Sequence, residues 1–389
     1  MVGQNLDRTA RSFDYALVGA GLSNCLVALA LARYQPAARI TLIDTAKEIG
    51  AGHTWSFHET DVPAEDLSWL SELSEYRAES HEVRFQHYSR TLKSAYFTIT
   101  GERLRRVVAA CFDAHPNFEL LLGSRVEKVA AHQVQLASGE RLDAKLVIDA
   151  RGPELLQADI AGYQKFLGLE LEWDQPHGIE RAILMDAEVE QLDGFRFVYV
   201  LPFGRRRALV EDTYFSDSAQ LNRELLRERV LAYVSAQGLP KARVLREEVG
   251  VLPLPRKVRS ASSESPLAAG YAGGFLHPTT GYSLPIAVRL ANFIARRAPE
   301  QLFGADFEKF SSEHRRQARF AELLNRLLFQ GFAGEKRHAV FERFYRLAEP
   351  TIARFYALQT TPLDRARILC GRPPRGISLK RALLGGLHS

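Results

Sequence analysis

FDYALVGAGLSN, residues 13–24, is the stretch on which the reading of this chain turns. Phe13–Val18 is short, apolar and β-rich, the pattern of a strand buried on both faces. Leu22–Arg33 is rich in Leu and Ala and predicts a helix. Gly19 and Gly21 lie between them. Glycines at a strand-to-helix turn let the backbone approach a pyrophosphate, and the helix N-terminus favours its charge. The third glycine of a G-x-G-x-x-G run is absent, because Asn24 stands there. Arg39–Asp44 (RITLID) predicts a second strand ending on an acid, 25 residues after Gly19. An acid at that place accepts ribose hydroxyls and argues against a 2′-phosphorylated nucleotide. Two chance glycines and a turn acid do not account for the strand–turn–helix–strand order.

Tyr15–Ala32 is an uncharged run behind Arg8 and Arg11, and it imitates a signal peptide or a short membrane span. Its two glycines and Asp14 fit a strand, a turn and a helix better. Neither a cleaved signal nor a transmembrane helix is expected. Glu102–Ala114 predicts a helix. Arg125–Ile148 alternates around a Ser138-Gly139 turn and closes on Lys145–Asp149, which runs into Asp149-Ala150-Arg151-Gly152. Lys165–Trp173, Arg181–Val189, Phe195–Phe203 and Ala208–Phe215 are β-rich, Ser218–Gln237 reads as helix, and Arg246–Pro255 as strand. Helical patterns follow a Gly-, Pro- and Thr-rich Pro266–Pro285. The expected fold class is α/β. A Rossmann-like dinucleotide domain (1–160 and 245–300) is interrupted by an antiparallel β-sheet substrate domain (161–244) and followed by a helical C-terminal part (301–389). That layout puts a pocket between nucleotide and sheet.

Composition sets outer limits. Of 389 residues, 46% are hydrophobic and 25% charged, as in an ordinary folded protein. Cys25, Cys111 and Cys370 are far apart, with no CxxC and no zinc spacing, so they read as reduced thiols and no metal site is expected. The net charge of +5 is uneven. Residues 301–389 hold 16 Lys and Arg against 8 Asp and Glu, a net of +8, and eleven Phe and Tyr; residues 1–300 sum to −3. A membrane-surface face and a helical subdomain with a solvated charged side both fit that composition. No recognition motif accompanies the charge, so nucleic acid is not an expected partner.

Three segments carry a family resemblance: GHTWSFH at 52–58, LVEDT at 209–213 and GFLHPTTGYS at 274–283. They resemble the bacterial lycopene β-cyclases, and the likeness runs from Phe13 to about Gly376. Ala51 and Cys25 stand where that family more often has glycine. Asp149-Ala150-Arg151-Gly152 resembles the second flavin motif of aromatic-hydroxylase-like flavoproteins, and Gly270–Pro285 their third, with Tyr271 in place of the usual Asp. Arg103 resembles the helix arginine that in such proteins lies near the cofactor. The resemblance therefore implies FAD, held by Gly19, Gly21, Asp44, Arg103, Asp149, Arg151, Gly152, Gly281, Tyr282 and Ser283. It implies NAD(P)H as reductant of that flavin.

It further implies a redox-neutral cyclisation of lycopene ends to β-ionone rings. Such chemistry needs an acid that stays protonated, a base and an apolar pocket for a cation. Glu211 matches the family's acidic motif. On a strand, Leu209, Glu211, Thr213 and Phe215 share one face, and Val210, Asp212 and Tyr214 the other. Burial would raise the carboxyl pKa, whereas Asp212 is left a structural role. His277 and His53 are candidate proton relays, and each equally fits a structural hydrogen bond. Trp55, Phe57, Phe197 and Tyr199 are candidate pocket aromatics that also fit a core. Lycopene must be taken from a bilayer, so the expected partners are a membrane surface on its cytoplasmic side and other carotenoid-pathway enzymes. A monooxygenase or prenyl reductase of the same fold, and a non-catalytic carotenoid-binding flavoprotein, are the alternatives.

Overall fold

The computed structural model describes residues 11–50, 52–152, 154, 156–258 and 265–370, so Ala51 and the end of the basic tail lie outside the described residues. In chain order the first half holds β1 (Arg11–Val18), α1 (Leu22–Tyr34), β2 (Ile40–Ile43), β3 (Thr54–His58), α2 (Ala64–Leu73), β4 (Tyr76–Ala78), β5 (His81–Phe85), β6 (Tyr88–Leu92), β7 (Tyr96–Thr100), α3 (Gly101–Ala114), β8 (Phe118–Leu121), β9 (Val126–Val129), β10 (Gln133–Leu136) and β11 (Arg141–Asp149). The second half holds β12 (Ala158–Glu172), β13 (Ala182–Asp186), β14 (Phe195–Pro202), β15 (Arg207–Ser216), α4 (Arg223–Ala236), β16 (Arg243–Val258), β17 (Leu267–Ala268), α5 (Leu284–Ala295), α6 (Ala305–Gly331), α7 (His338–Phe344), α8 (Glu349–Tyr356) and α9 (Pro362–Leu369).

The first sheet runs β8-β2-β1-β11-β10-β9, with β17 added to β11. β1 pairs in parallel with β2 and β11, as a strand between two crossovers must. It is buried on both faces. Tyr15 and Leu17 join the core under α1 and α5, while Phe13, Ala16 and Val18 join a smaller core beneath the β9–β11 meander. The uncharged run from Tyr15 is thus β1, its turn and α1, and no described helix is long and apolar enough to cross a membrane.

The second sheet runs β16-β12-β15-β14-β13-β5-β6 and is antiparallel except where β13 meets β5. Two expected boundaries move here. Arg246–Pro255 is expected in the nucleotide domain, but β16 pairs with β12 along nearly its whole length and belongs to the second sheet. The β5–β6 hairpin, from within 1–160, also belongs there. The sheet wins these segments because its inner face needs Val83, Phe85 and Leu92 to complete a core with Phe195, Phe197 and Phe215. The helix expected from Ser218 begins at Arg223, where the Asn222 side chain accepts from Leu225 N.

The C-terminal helices are wall rather than appendage. Phe329 of α6 lies so close to Gly162 of β12 that a Cβ there would meet its ring at 2.1 Å. Phe341 of α7 stacks on Phe195 at 4.2 Å between centroids. The Arg337 guanidinium is buried, bonds the Asp217 carboxylate at 2.7 and 2.9 Å, and lies over the Phe329 ring.

Candidate active site

A cavity of about 460 Å³ lies between the first and second sheets, and β3 and β7 of a third, three-stranded sheet also line it. Its near wall is the glycine turn. Gly19 has φ +96°, and a Cβ there would meet the Ala150 carbonyl oxygen at 2.9 Å. Glycine at this position lets the end of β1 pass the end of β11. Gly21 has nothing within 4 Å of its Cβ position, so the space beside it is open. α1 starts at Gly21 without a side-chain cap, which leaves its first N–H groups toward that space. Asn24 is fully buried and donates to the Val18 and Gly19 carbonyls, both at 3.0 Å, so it ties helix to strand where a third glycine would only pack. The Asp44 carboxylate accepts from Ala20 N at 2.5 Å and from Ala46 N at 2.7 Å, which fixes it at the mouth of the turn.

The second and third flavin-like segments complete this wall. Asp149 is clasped by Arg151 through Nε at 2.9 Å and Nη2 at 2.6 Å, and Arg151 and Gly152 face the cavity. Gly281, Tyr282 and Ser283 face it too, ahead of α5, whose Ser283 start also lacks a side-chain cap. Tyr271, in the place of the usual acid, donates to the Gly281 carbonyl at 2.6 Å and braces the loop. Arg103 is not part of the wall. Its Nε and Nη2 donate to the Glu72 carbonyl at 3.0 and 2.6 Å and cap the end of α2 in solvent.

The far wall is the second sheet, and β15 behaves as its alternation predicts. Leu209 and Phe215 lie in the core of one face, Val210 and Tyr214 in that of the other. Glu211 reaches the cavity. It is 9% exposed, and it accepts a hydrogen bond from the Thr213 hydroxyl at 2.7 Å. Burial first, and then the charge of Glu248, push its carboxyl up to about 8. Across the sheet, Gly168 of β12 stands opposite Glu211 on one side and Glu248 of β16 on the other. Asp212 points away. It receives Arg196 Nε at 2.7 Å and the Tyr214 hydroxyl at 2.8 Å, the structural role expected of it.

Four expected site residues divide in two. Trp55 and Tyr199 line the cavity. Phe57 does not, because it stacks on Phe97 at 4.9 Å inside the first core. Phe197 does not either, because the cavity ends at Tyr199 and the rings of Phe195, Phe215 and Phe341 fill the space beyond. His277 is no relay. Its Nε2 donates to the Phe355 carbonyl at 2.9 Å, its Nδ1 accepts from Thr279 N at 3.2 Å, and burial drives it down to about 4. His53 does line the cavity, half exposed, 3.7 Å from Glu248.

Sequence reasoning missed Glu248, Asp61 and a ring of tyrosines. Glu248 lies in the cavity wall and accepts from Thr54 N at 2.8 Å and Arg246 Nη1 at 3.3 Å. Its signal was present, since Glu247-Glu248 repeats the paired acids of Glu211-Asp212 on another alternating strand. Asp61 accepts the Tyr282 hydroxyl and His58 N, and burial pushes it up to about 7. Nothing in its local sequence marks it. Tyr96, Tyr345 and Tyr356 line the cavity, and the hydroxyls of Tyr345 and Tyr356 lie 2.6 Å apart.

Among solved structures the chain resembles flavoproteins at the level of fold. A geranylgeranyl bacteriochlorophyll reductase-like protein from Thermoplasma acidophilum superposes with a TM-score of 0.64 at 15% identity, over 94% of this chain and 98% of that one. A probable FAD-dependent monooxygenase from Pseudomonas aeruginosa gives a TM-score of 0.60 at 18% identity, over 85% and 99%. Sequence relatives are nearer. The lycopene beta-cyclase of Pantoea ananas is 40% identical over 369 residues, covering 93% of this chain and 95% of that protein. That of Pseudescherichia vulneris is 39% identical over 93% and 94%. The family model described as "Lycopene cyclase protein" matches residues 14–382. Matched along nearly its whole length by that model and by relatives of its own size, this chain belongs to the lycopene cyclase family.

Proposed function

We propose that this chain is an FAD-dependent lycopene β-cyclase, which closes the linear ends of lycopene into β-ionone rings without net redox change. The observation that carries this reading is Glu211, a carboxyl kept protonated by burial, facing a cavity whose opposite wall is a dinucleotide turn. The relatives named lycopene beta-cyclase, at 37–40% identity, support it.

The near wall fits FAD. Gly21 opens onto free space, two helix starts lack side-chain caps, and the buried Ser23 hydroxyl has no partner among the described residues. Asp44, anchored by Ala20 N and Ala46 N, would accept the ribose hydroxyls. Bound in reduced form, FAD supplies negative charge that favours a cation nearby, with NAD(P)H as its reductant. The remaining work falls to side chains. Glu211 gives its proton to the terminal alkene of the substrate. Trp55 and Tyr199 offer ring faces to the resulting cation. Leu184, Leu201, Leu209 and Leu252 keep water from capturing it before the ring closes.

A long polyene hydrocarbon is met at a bilayer, so the enzyme works as a peripheral protein on the cytoplasmic face, beside other carotenoid-pathway enzymes. α9 supports this: Leu363 and Leu369 are 58% and 46% exposed beside half-exposed Arg367. Changing both leucines to Asp should lower co-sedimentation with anionic liposomes, and unchanged binding removes α9 from that role.

The test of the main reading is anaerobic. Purified protein with reduced FAD receives lycopene in liposomes, and products are separated by chromatography. β- or γ-carotene formed without flavin reoxidation supports the cyclase. Product formed only as flavin is oxidised favours a reductase or monooxygenase. Binding with no product favours a carrier.

A further inference from the structure

The ring-closing reaction needs a proton acceptor as well as a donor, and the second sheet holds a second carboxylate in register with the first. Tyr199, Glu211, Gly168 and Glu248 stand in one row across β14, β15, β12 and β16. Adjacent strands lie about 4.8 Å apart, so the two acids arise from strands about 10 Å apart. Between them is a glycine, and the Glu211 carboxylate leans over it beside Leu209 Cδ1. Both acids line the same cavity. Their surroundings differ. Glu211 has a hydroxyl for company. Glu248 is 5% exposed and accepts hydrogen bonds from the Arg246 guanidinium and from Thr54 N.

We propose that Glu248 is the catalytic base of the cyclisation, the group that removes the ring proton after Glu211 has delivered the first one. The proposal rests on the cyclase reading. Glu211 protonates the terminal alkene; the electron pair of the next alkene closes the ring and leaves a cation on the methyl-bearing ring carbon. The C–H bond of the adjacent ring carbon, the one carrying the polyene chain, then breaks. Its electron pair becomes the ring double bond, and its proton goes to a Glu248 oxygen. Glu248 passes that proton to solvent and Glu211 regains one, so the balance is redox-neutral. A C–H bond beside a carbocation is so acidic that a carboxylate bonded to a guanidinium is base enough. Such a cation has three kinds of neighbouring hydrogen: on the chain-bearing carbon, on a ring methylene and on the methyl. A base at a fixed place selects the first and so yields a β-ring; the other two give isomers with the double bond moved.

The two carboxylates can be told apart. Glu211→Gln slows formation of the cation, so that few rings form, and leaves those that do form as β-rings. Glu248→Gln, as flavin-loaded full-length protein with lycopene liposomes, should consume lycopene about 10²-fold more slowly. Its residual rings should include the isomers with a methylene-side or exocyclic double bond. Glu248→Asp should recover part of the rate while keeping some of the wrong isomers. Pure β-rings at near wild-type rate from Glu248→Gln, with only the alkaline limb of the pH profile moved, would overturn the proposal and leave Glu248 as a charge that acts on Glu211. Should Glu248→Gln fail to retain flavin, the product mixture of Glu248→Asp decides, since pure β-rings there overturn it equally. Absence of any cyclic product from the unmodified protein counts against the cyclase reading itself.

Discussion

Glu211 and Asp212 are neighbours in the chain and face opposite sides of one strand. On the cavity side, Glu211 meets a hydroxyl, apolar carbon and another carboxylate, so its neutral form is favoured. On the α4 side, Asp212 is wholly buried yet meets Arg196 and Tyr214, and Tyr214 in turn receives Arg229. Burial raises both carboxyls, but at Asp212 it is opposed by a directly bonded Arg196 and the Tyr214 hydroxyl, whereas at Glu211 the charge of Glu248 adds to it; a buried acid without a bonded cation is the one placed to give up a proton.

The most severe way to probe this contrast is Glu211→Gln. Cyclisation should fall by about 10²–10⁴-fold with flavin content retained, read by product chromatography. Asp212→Ala should do the reverse. Removing one partner of a buried pair leaves Arg196 unmatched and costs about 3–5 kcal/mol, read by urea unfolding, while the folded fraction still makes β-rings. A third probe is pH. Activity should fall as pH rises through about 8, because Glu211 then loses its proton. Stability follows the same sign. Between the ordinary carboxylate range and about 8 the folded protein holds a proton that the unfolded chain has released, so stability declines as pH rises across that window. Glu211→Gln should remove that decline and gain on the order of 1–3 kcal/mol at pH 9 relative to the parent. The smallest effect belongs to Gly168→Ala. The added methyl would sit 3.0 Å from Leu209 Cδ1 and 3.3 Å from Glu211 Cβ and Oε2. A cost of about 1 kcal/mol and a several-fold loss of rate are expected; a fully active variant would mean that the row across the sheet tolerates filling.

Local periodicity made much of this legible. The strand–turn–helix of residues 13–33, the meander around Gly139 and the two faces of β15 each follow from patterns that lie within a dozen residues of one another. What escaped depends on partners far apart in sequence. β5 joins the second sheet by pairing with β13, about a hundred residues later, and no local signal encodes that choice. Phe57 and Phe197 share strand positions with cavity residues, and only the three-dimensional extent of the cavity separates them from Trp55 and Tyr199. His277 and Arg103 looked chemical by resemblance and prove to satisfy backbone carbonyls, the commonest use of a polar side chain in a fold.

The placement of α7 and α8 against the cavity has a consequence for recombination between relatives. Tyr345 and Tyr356 close the cavity from the C-terminal helices, and Phe341 stacks on a strand residue more than a hundred positions earlier. A crossover that exchanges only the last sixty residues would join one parent's tyrosines to the other parent's strands. Hybrids whose junctions carry β14, β15 and the C-terminal helices from the same parent should inherit its ring-forming behaviour intact; those that split them should inherit a cavity that neither parent has.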